Sequence, residues 1–145
     1  MKRKRTVLNF ITLICTLLIG AFGFACQTKA DKESVVRLIE REGLYVMYCE
    51  ESNGTDKLLD AMENLRQEGE LAFEISGGMV TSIGGVANAA DFTKCWMLYT
   101  SDAELSNTEW GVVEYDGESL GSAIVGVENL TIKTGEYYVW SYQGF

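Results

Sequence analysis

What this chain can fold into is limited first by its N-terminus. Lys2, Arg3, Lys4 and Arg5 precede a 19-residue, mainly apolar run from Val7 to Ala25, broken only by Asn9, Thr12, Thr16 and a few glycines. A basic segment leading into an apolar one is the pattern of a secretory signal. Such a signal contributes nothing to the mature fold, so 120 of the 145 residues remain to bury a core. That length supports one domain and leaves little room for a second.

The mode of export turns on Gly23-Phe24-Ala25-Cys26. A small residue directly before Cys fits a lipoprotein signal, in which Cys26 becomes the acylated first residue. The product would sit on the extracellular face of the cell membrane, with Gln27 to Lys32 as a short polar tether. Gly23 stands where Leu is usual and Phe24 is bulky, so cleavage after Ala25 to a secreted product also fits. An uncleaved anchor is a third option, because 19 residues just span a bilayer. The expected organisation is a signal over 1–25, a tether and N-terminal segment over 26–43, and a folded domain over 44–145.

Charge divides at the same place. The whole chain carries a net charge of -9, but from Cys26 onward 8 basic side chains face 21 acidic ones, a net charge of -13. A domain this acidic repels polyanions, which argues against nucleic acid as a partner. The chain contains no His, which excludes Ser-His-Asp triads, two-His zinc sites and His ligation of haem or cobalt. Four cysteines are present. Cys15 lies in the signal and acylation would use Cys26, leaving Cys49 and Cys95 as an even pair in an oxidising compartment. A disulfide between them would close a long loop, worth about 4 kcal/mol on the chain-entropy model. The alternative is two buried thiols, since both lie in apolar strand-like runs.

Periodicity places the elements. Residues 31–42 read equally as a helix or as a strand turning at Gly43, because Val35, Val36, Leu38 and Ile39 follow helical spacing yet three of them are β-branched. Leu44 to Cys49 is apolar on both alternating faces, as in a central strand. Ser52-Asn53-Gly54-Thr55 is turn chemistry, with Thr55 as candidate N-cap of a helix over about Asp56 to Gln67, where Leu58, Leu59, Met62 and Leu65 recur at helical spacing. Strands are expected over Leu71 to Ile75, Met79 to Ile83, Cys95 to Tyr99, and Val112 to Tyr115 with a short return from Glu118. A closing hairpin is expected to run from Leu130 to Lys133 and back over Tyr137 to Tyr142, with Tyr138, Trp140 and Tyr142 on one face. One helix among many strands gives an α+β fold, a mostly antiparallel sheet with the helix packed on one face.

No constellation of catalytic residues stands out, and the expected function is non-enzymatic. Glu50-Glu51 with Asn53 and Asp56, and Asp102, Glu104 and Glu109, are loose cation-loop candidates without the spacing of a calcium hand. No carboxylate pair is singled out for glycoside hydrolysis. Gly77-Gly78 and Gly84-Gly85 lack the Lys-Ser/Thr of a phosphate loop and read as tight turns. Aromatics are more suggestive: Trp96, Tyr99, Trp110, Tyr115, Tyr137, Tyr138, Trp140 and Tyr142 offer flat surfaces for a planar ligand, or simply area for a core. Trp96 and Tyr99 exposed together in one cavity would favour a ligand, and their full burial a module of the cell envelope without one.

Three segments in order carry a resemblance: Asn53-Gly54-Thr55-Asp56-Lys57-Leu58-Leu59-Asp60-Ala61-Met62; Gly78-Met79-Val80-Thr81-Ser82-Ile83-Gly84-Gly85-Val86; and Trp96-Met97-Leu98-Tyr99, followed by Gly126 and Lys133-Thr134-Gly135-Glu136-Tyr137. Over about residues 44–142 the chain resembles the transcobalamin-like C-terminal domain family, a domain of unknown function common in surface proteins and lipoproteins of Gram-positive bacteria. The resemblance implies a small sheet-plus-helix domain that, in vitamin B12 carriers, closes over one side of the corrin ring. By position it implies Val80, Thr81, Ile83, Trp96, Leu98 and Tyr99 as contacts to a corrinoid such as cobalamin, or to another planar ligand. The carriers' large helical domain has no counterpart here, and a polar insertion over Thr100 to Thr108 follows the Tyr99 strand. The other reading is an interaction or structural module of the cell envelope whose sheet face or Thr100 to Thr108 loop meets a partner protein.

Overall fold

A computed structural model describes residues 32–145. The signal, Cys15 and the lipidation candidate Cys26 lie outside the described residues. Strand β1 (Val35–Arg41) settles the helix-or-strand ambiguity of that segment: its β-branched residues pair antiparallel with β2 (Leu44–Glu51). Glu42 and Gly43, both at positive φ, make the two-residue turn between them. The folded part therefore begins well before residue 44.

Helix α1 (Leu58–Gln67) starts two residues later than its periodicity suggests. Asn53 Oδ1 accepts the backbone N–H groups of Thr55 and Asp56, closing a turn that keeps Thr55 out of the cap position. Lys57 is the N-cap instead, and its N–H donates to Asp60 Oδ2 at 2.8 Å. The first helical N–H groups, of Leu58 and Leu59, donate to the carbonyls of Leu130 and Val127. Those bonds use up the segment expected to form the outward arm of a closing hairpin. Leu130 and Ile132 are fully buried, yet the stretch makes only an isolated bridge between Lys57 and Thr131, not a sheet strand.

The other strands are β3 (Phe73–Ser76), β4 (Met79–Ile83), β5 (Val86–Ala87), β6 (Lys94–Thr100), β7 (Ser106–Tyr115), β8 (Glu118–Ala123) and β9 (Tyr137–Gly144). They form a six-stranded sheet in the order β1-β2-β9-β6-β8-β7 and a three-stranded sheet β3-β4-β5, with every pairing antiparallel. The α+β expectation holds at this level. The Thr100 to Thr108 insertion is only partly a loop, since Ser106 already begins β7.

Alternation along the strands sorts the apolar residues onto two faces. On one face of the large sheet, Met47, Cys49, Trp96, Leu98, Tyr138 and Trp140 pack against Leu58, Ala61, Met62 and Leu65 of α1 and against Phe73, Val80 and Ile83 of the small sheet. On the other face Val46, Tyr99, Leu120 and Val139 form a smaller cluster. Residues 32–145 thus contain a complete core within one compact unit, so a chain beginning at Gln27 carries all that the core needs.

The register also corrects the expected Cys49–Cys95 disulfide. Both residues are buried free thiols. Strand β9 lies between β2 and β6, and along it Tyr48 pairs with Tyr137 while Cys95 pairs with Gln143. The two cysteines therefore sit near opposite ends of β9, roughly 20 Å apart at strand rise, far beyond the reach of a disulfide. Burial pushes the Cys49 thiol above its ordinary pKa, as expected for an inert core residue.

Candidate functional site

An open, mainly apolar concavity follows the edge of β6. Strand β9 pairs with β6 along its whole length, from Lys94 to Thr100. On the opposite edge β8 pairs only with Tyr99 and Thr100, and after Ala123 the chain leaves β6 through residues 124–127. The gap is a groove of about 470 Å³ lined by Cys95, Trp96, Met97 and Leu98 on one side, by 122–127 on the other, and by Gly78 to Val80 of the small sheet. A groove this size lies within the range of small-ligand sites.

Its rim is apolar and exposed. Met79 (52%), Phe92 (61%), Ile124 (43%) and Phe145 (79%) all line it, four of the eight large hydrophobic side chains exposed among the described residues. Such gathering of apolar surface marks a contact site more reliably than scattered exposure does. The floor includes Trp140, whose enclosed indole N–H finds no acceptor among the described residues. Leaving a buried donor unpaired costs about 1–3 kcal/mol.

The resemblance-derived contacts separate. Val80, Trp96 and Leu98 line the groove. Ile83 is fully buried in the main core, and Thr81 lies outside the groove with its carbonyl accepting the Asn88 N–H. Tyr99 belongs to the opposite face, because its position on β6 differs in parity from Trp96 and Leu98. There it is buried under Gly111, where an added Cβ would lie 3.5 Å from its hydroxyl, and that burial raises its pKa. A single patch combining all six residues does not form.

Trp96 is mainly a clamp. It is 7% exposed, its ring meets Tyr45 edge-on at 5.6 Å and Tyr142 at 5.3 Å, and its Nε1 donates to the Val86 carbonyl at 2.7 Å. Tyr142 Oη donates to the Ala87 carbonyl. Together these aromatics fasten the β4–β5 hairpin to the large sheet. On the outer face Tyr48, Tyr137 and Tyr115 form a second stack, with Arg37 over Tyr48. Trp110 stands apart, exposed on a four-residue bulge of β7, Thr108 to Gly111, that interrupts pairing with β8.

The acidic loops are occupied by partners of their own. Asp56 accepts from Asn53 Nδ2 and from the Ser34 N–H, which hold its carboxyl below the usual range, while Glu50 pairs with Arg37 and Glu51 with Lys32. Asp102 and Glu104 share Lys133, at 2.8 and 2.6 Å, and their hydrogen bonds raise its pKa. Among the described residues no three His, Cys, Asp or Glu side chains converge as a metal site, and no helix is long and apolar enough to cross a membrane.

The residues that sequence reasoning missed are the rim positions Met79, Phe92, Ile124 and Phe145. Their signal was present only as apolar side chains at turns and ends, where a core does not require them. Comparison with known proteins finds no matching family model, no matching curated protein and no matching solved structure.

Proposed function

We infer that this chain is an exported, non-enzymatic binding module whose contact surface is the groove along β6. The observation that carries the reading is the apolar rim: Met79, Phe92, Ile124 and Phe145 converge on one concavity instead of being buried. The signal-like N-terminus and Cys26 support a lipid-anchored protein at the extracellular face of the membrane. The family resemblance supports a transcobalamin-like version of the sheet-plus-helix fold, and with it a corrinoid or other planar ligand. Val80, Trp96 and Leu98 are the contacts that reading retains. At about 470 Å³ the groove would seat one edge of a corrinoid and leave the rest exposed or held by a partner.

A second reading, an envelope module that meets another protein, is favoured by a specific observation. Trp96 and Tyr99 are both buried and face opposite ways, so they do not form a joint stacking platform. Titration of the chain from Gln27 with cobalamin and with cobinamide separates the readings. Saturable heat with a change in corrin absorbance is expected of a corrinoid site, and silence at near-millimolar ligand would remove the stand-alone carrier. Palmitate incorporation that disappears in Cys26→Ala is the corresponding result for the anchor; a variant that still carries the label would overturn it.

A further inference from the structure

The outer edge of the large sheet at β7 presents backbone and side-chain groups that the fold does not use. Asp116 and Gly117, both at positive φ, form a two-residue turn, so Tyr115 and Glu118 are a hydrogen-bonded pair, as are Val113 and Leu120. The N–H and C=O groups of Val112 and Glu114 therefore point away from β8. Among the described residues β8 is the only strand beside β7, and no other backbone hydrogen bond reaches these four groups. The edge is held in place from within: Tyr115 meets Tyr137 of β9 at 5.2 Å, and Val113 packs on the outer cluster. On the other face of the strand Val112 is exposed, as is Trp110 in the bulge before it, and neither belongs to a core cluster.

Charge decides what can pair there. From Cys95 to Ile132 the chain holds 7 acidic side chains and no basic one. Four of them, Glu109, Glu114, Asp116 and Glu118, are exposed on β7 and its turn into β8, and none belongs to an ion pair among the described residues. Two copies meeting edge to edge would set these carboxylates against one another, which guards the edge against self-pairing. We propose that β7 receives, as an added antiparallel strand, an extended segment of a partner protein with a basic residue at every second position. This surface is separate from the groove and goes beyond that reading. Hydrogen-bonded partners share a face, so basic side chains opposite Val112 and Glu114 lie beside Trp110 and the carboxylates, while the alternate, apolar ones extend the cluster at Val113. Main-chain bonds supply affinity, and charge complementarity with a cation over the Trp110 ring supplies selectivity. The opposite outer edge, β1, carries Arg37 and Arg41 and lacks this bias.

The test titrates the synthetic peptide (Lys-Val)4 into the chain from Gln27. Binding with a Kd below about 1 mM is expected, with slower amide hydrogen exchange at Val112 and Glu114 and no slowing at Leu38 and Glu40 of the β1 edge. N-methylation of the lysine amides, which face β7 in this register, should weaken binding at least about tenfold, whereas N-methylation of the valine amides should leave it within about twofold. The (Glu-Val)4 counterpart should also be weaker, by a margin that shrinks in high salt. Val112→Pro removes an N–H that the fold leaves free, a change an edge strand tolerates, and should match the loss on lysine methylation; Phe92→Ser at the groove should not alter peptide binding. Equal effects of the two methylation patterns, unchanged exchange at Val112 and Glu114, or loss of peptide binding in Phe92→Ser would each overturn the β7 site. Corrinoid binding with no peptide binding below about 1 mM would sink this inference and leave the groove reading standing; peptide binding at β7 without corrinoid binding would do the reverse for the stand-alone carrier.

Discussion

The two edges of β6 are treated differently by the same fold. Toward β9 the strand is paired from end to end, and the side chains around that seam, Tyr138, Val139 and Trp140, are buried. Toward β8 the pairing stops after two residues, and the surrounding apolar side chains stay exposed. One strand is thus closed by a full ladder on one side and, on the other, by a two-residue ladder with β8 and by single bonds from Asn88 and Ala89. Apolar content does not distinguish the two sides; what differs is whether a second backbone is present to close the ladder.

Three results would break or sharpen this contrast. The largest is Tyr138→Ala on the closed side, where the side chain is fully buried and its hydroxyl accepts the Lys133 N–H. A loss of about 3–5 kcal/mol in denaturant unfolding is expected for emptying an aromatic core site. A change under about 1 kcal/mol would mean that this seam is not the stable half of the sheet. Next comes alkaline pH. Burial raises the pKa of Tyr138 and of Tyr99, so the folded state favours the neutral phenols. Their stabilisation is complete below the unfolded tyrosine value of about 10 and is lost as pH rises beyond it. The unfolding midpoint should fall above that pH, because each buried phenol ionises more readily in the unfolded chain than in the folded one. A midpoint that is flat into strong alkali would contradict the burial of these rings. The smallest effect is Phe92→Ser at the open rim, expected to stay within about 0.5 kcal/mol of the parent. Destabilisation well beyond that would show the rim to be structural.

Much of this architecture was legible in alternation and turn chemistry. Strand β4 matches its expected limits, β6 extends its run by one residue at each end, and Gly77-Gly78, Gly84-Gly85 and Asp116-Gly117 all form turns with both residues at positive φ. The misreadings share a cause: pattern records burial, not the partner. Leu130 and Ile132 alternate like strand residues because both are buried, but their neighbouring backbone groups bind the start of α1. Cys49 and Cys95 look poised for a bridge because they remain as an even pair in an exported domain, and only the register along β9 reveals their separation. Trp96 and Tyr99 look like joint contacts until the pleat sends them to opposite faces. The groove was least legible of all, since it depends on where β8 stops pairing.

Gly84 offers a last consequence. It sits at φ +58 in the β4–β5 turn, and a Cβ there would come within 1.9 Å of the Tyr45 hydroxyl. Any larger residue at 84 would have to move the ring that also braces Trp96. Variation at these two positions is therefore coupled: a bulkier turn residue becomes tolerable only when the aromatic at 45 is shortened, so neither site drifts independently of the other.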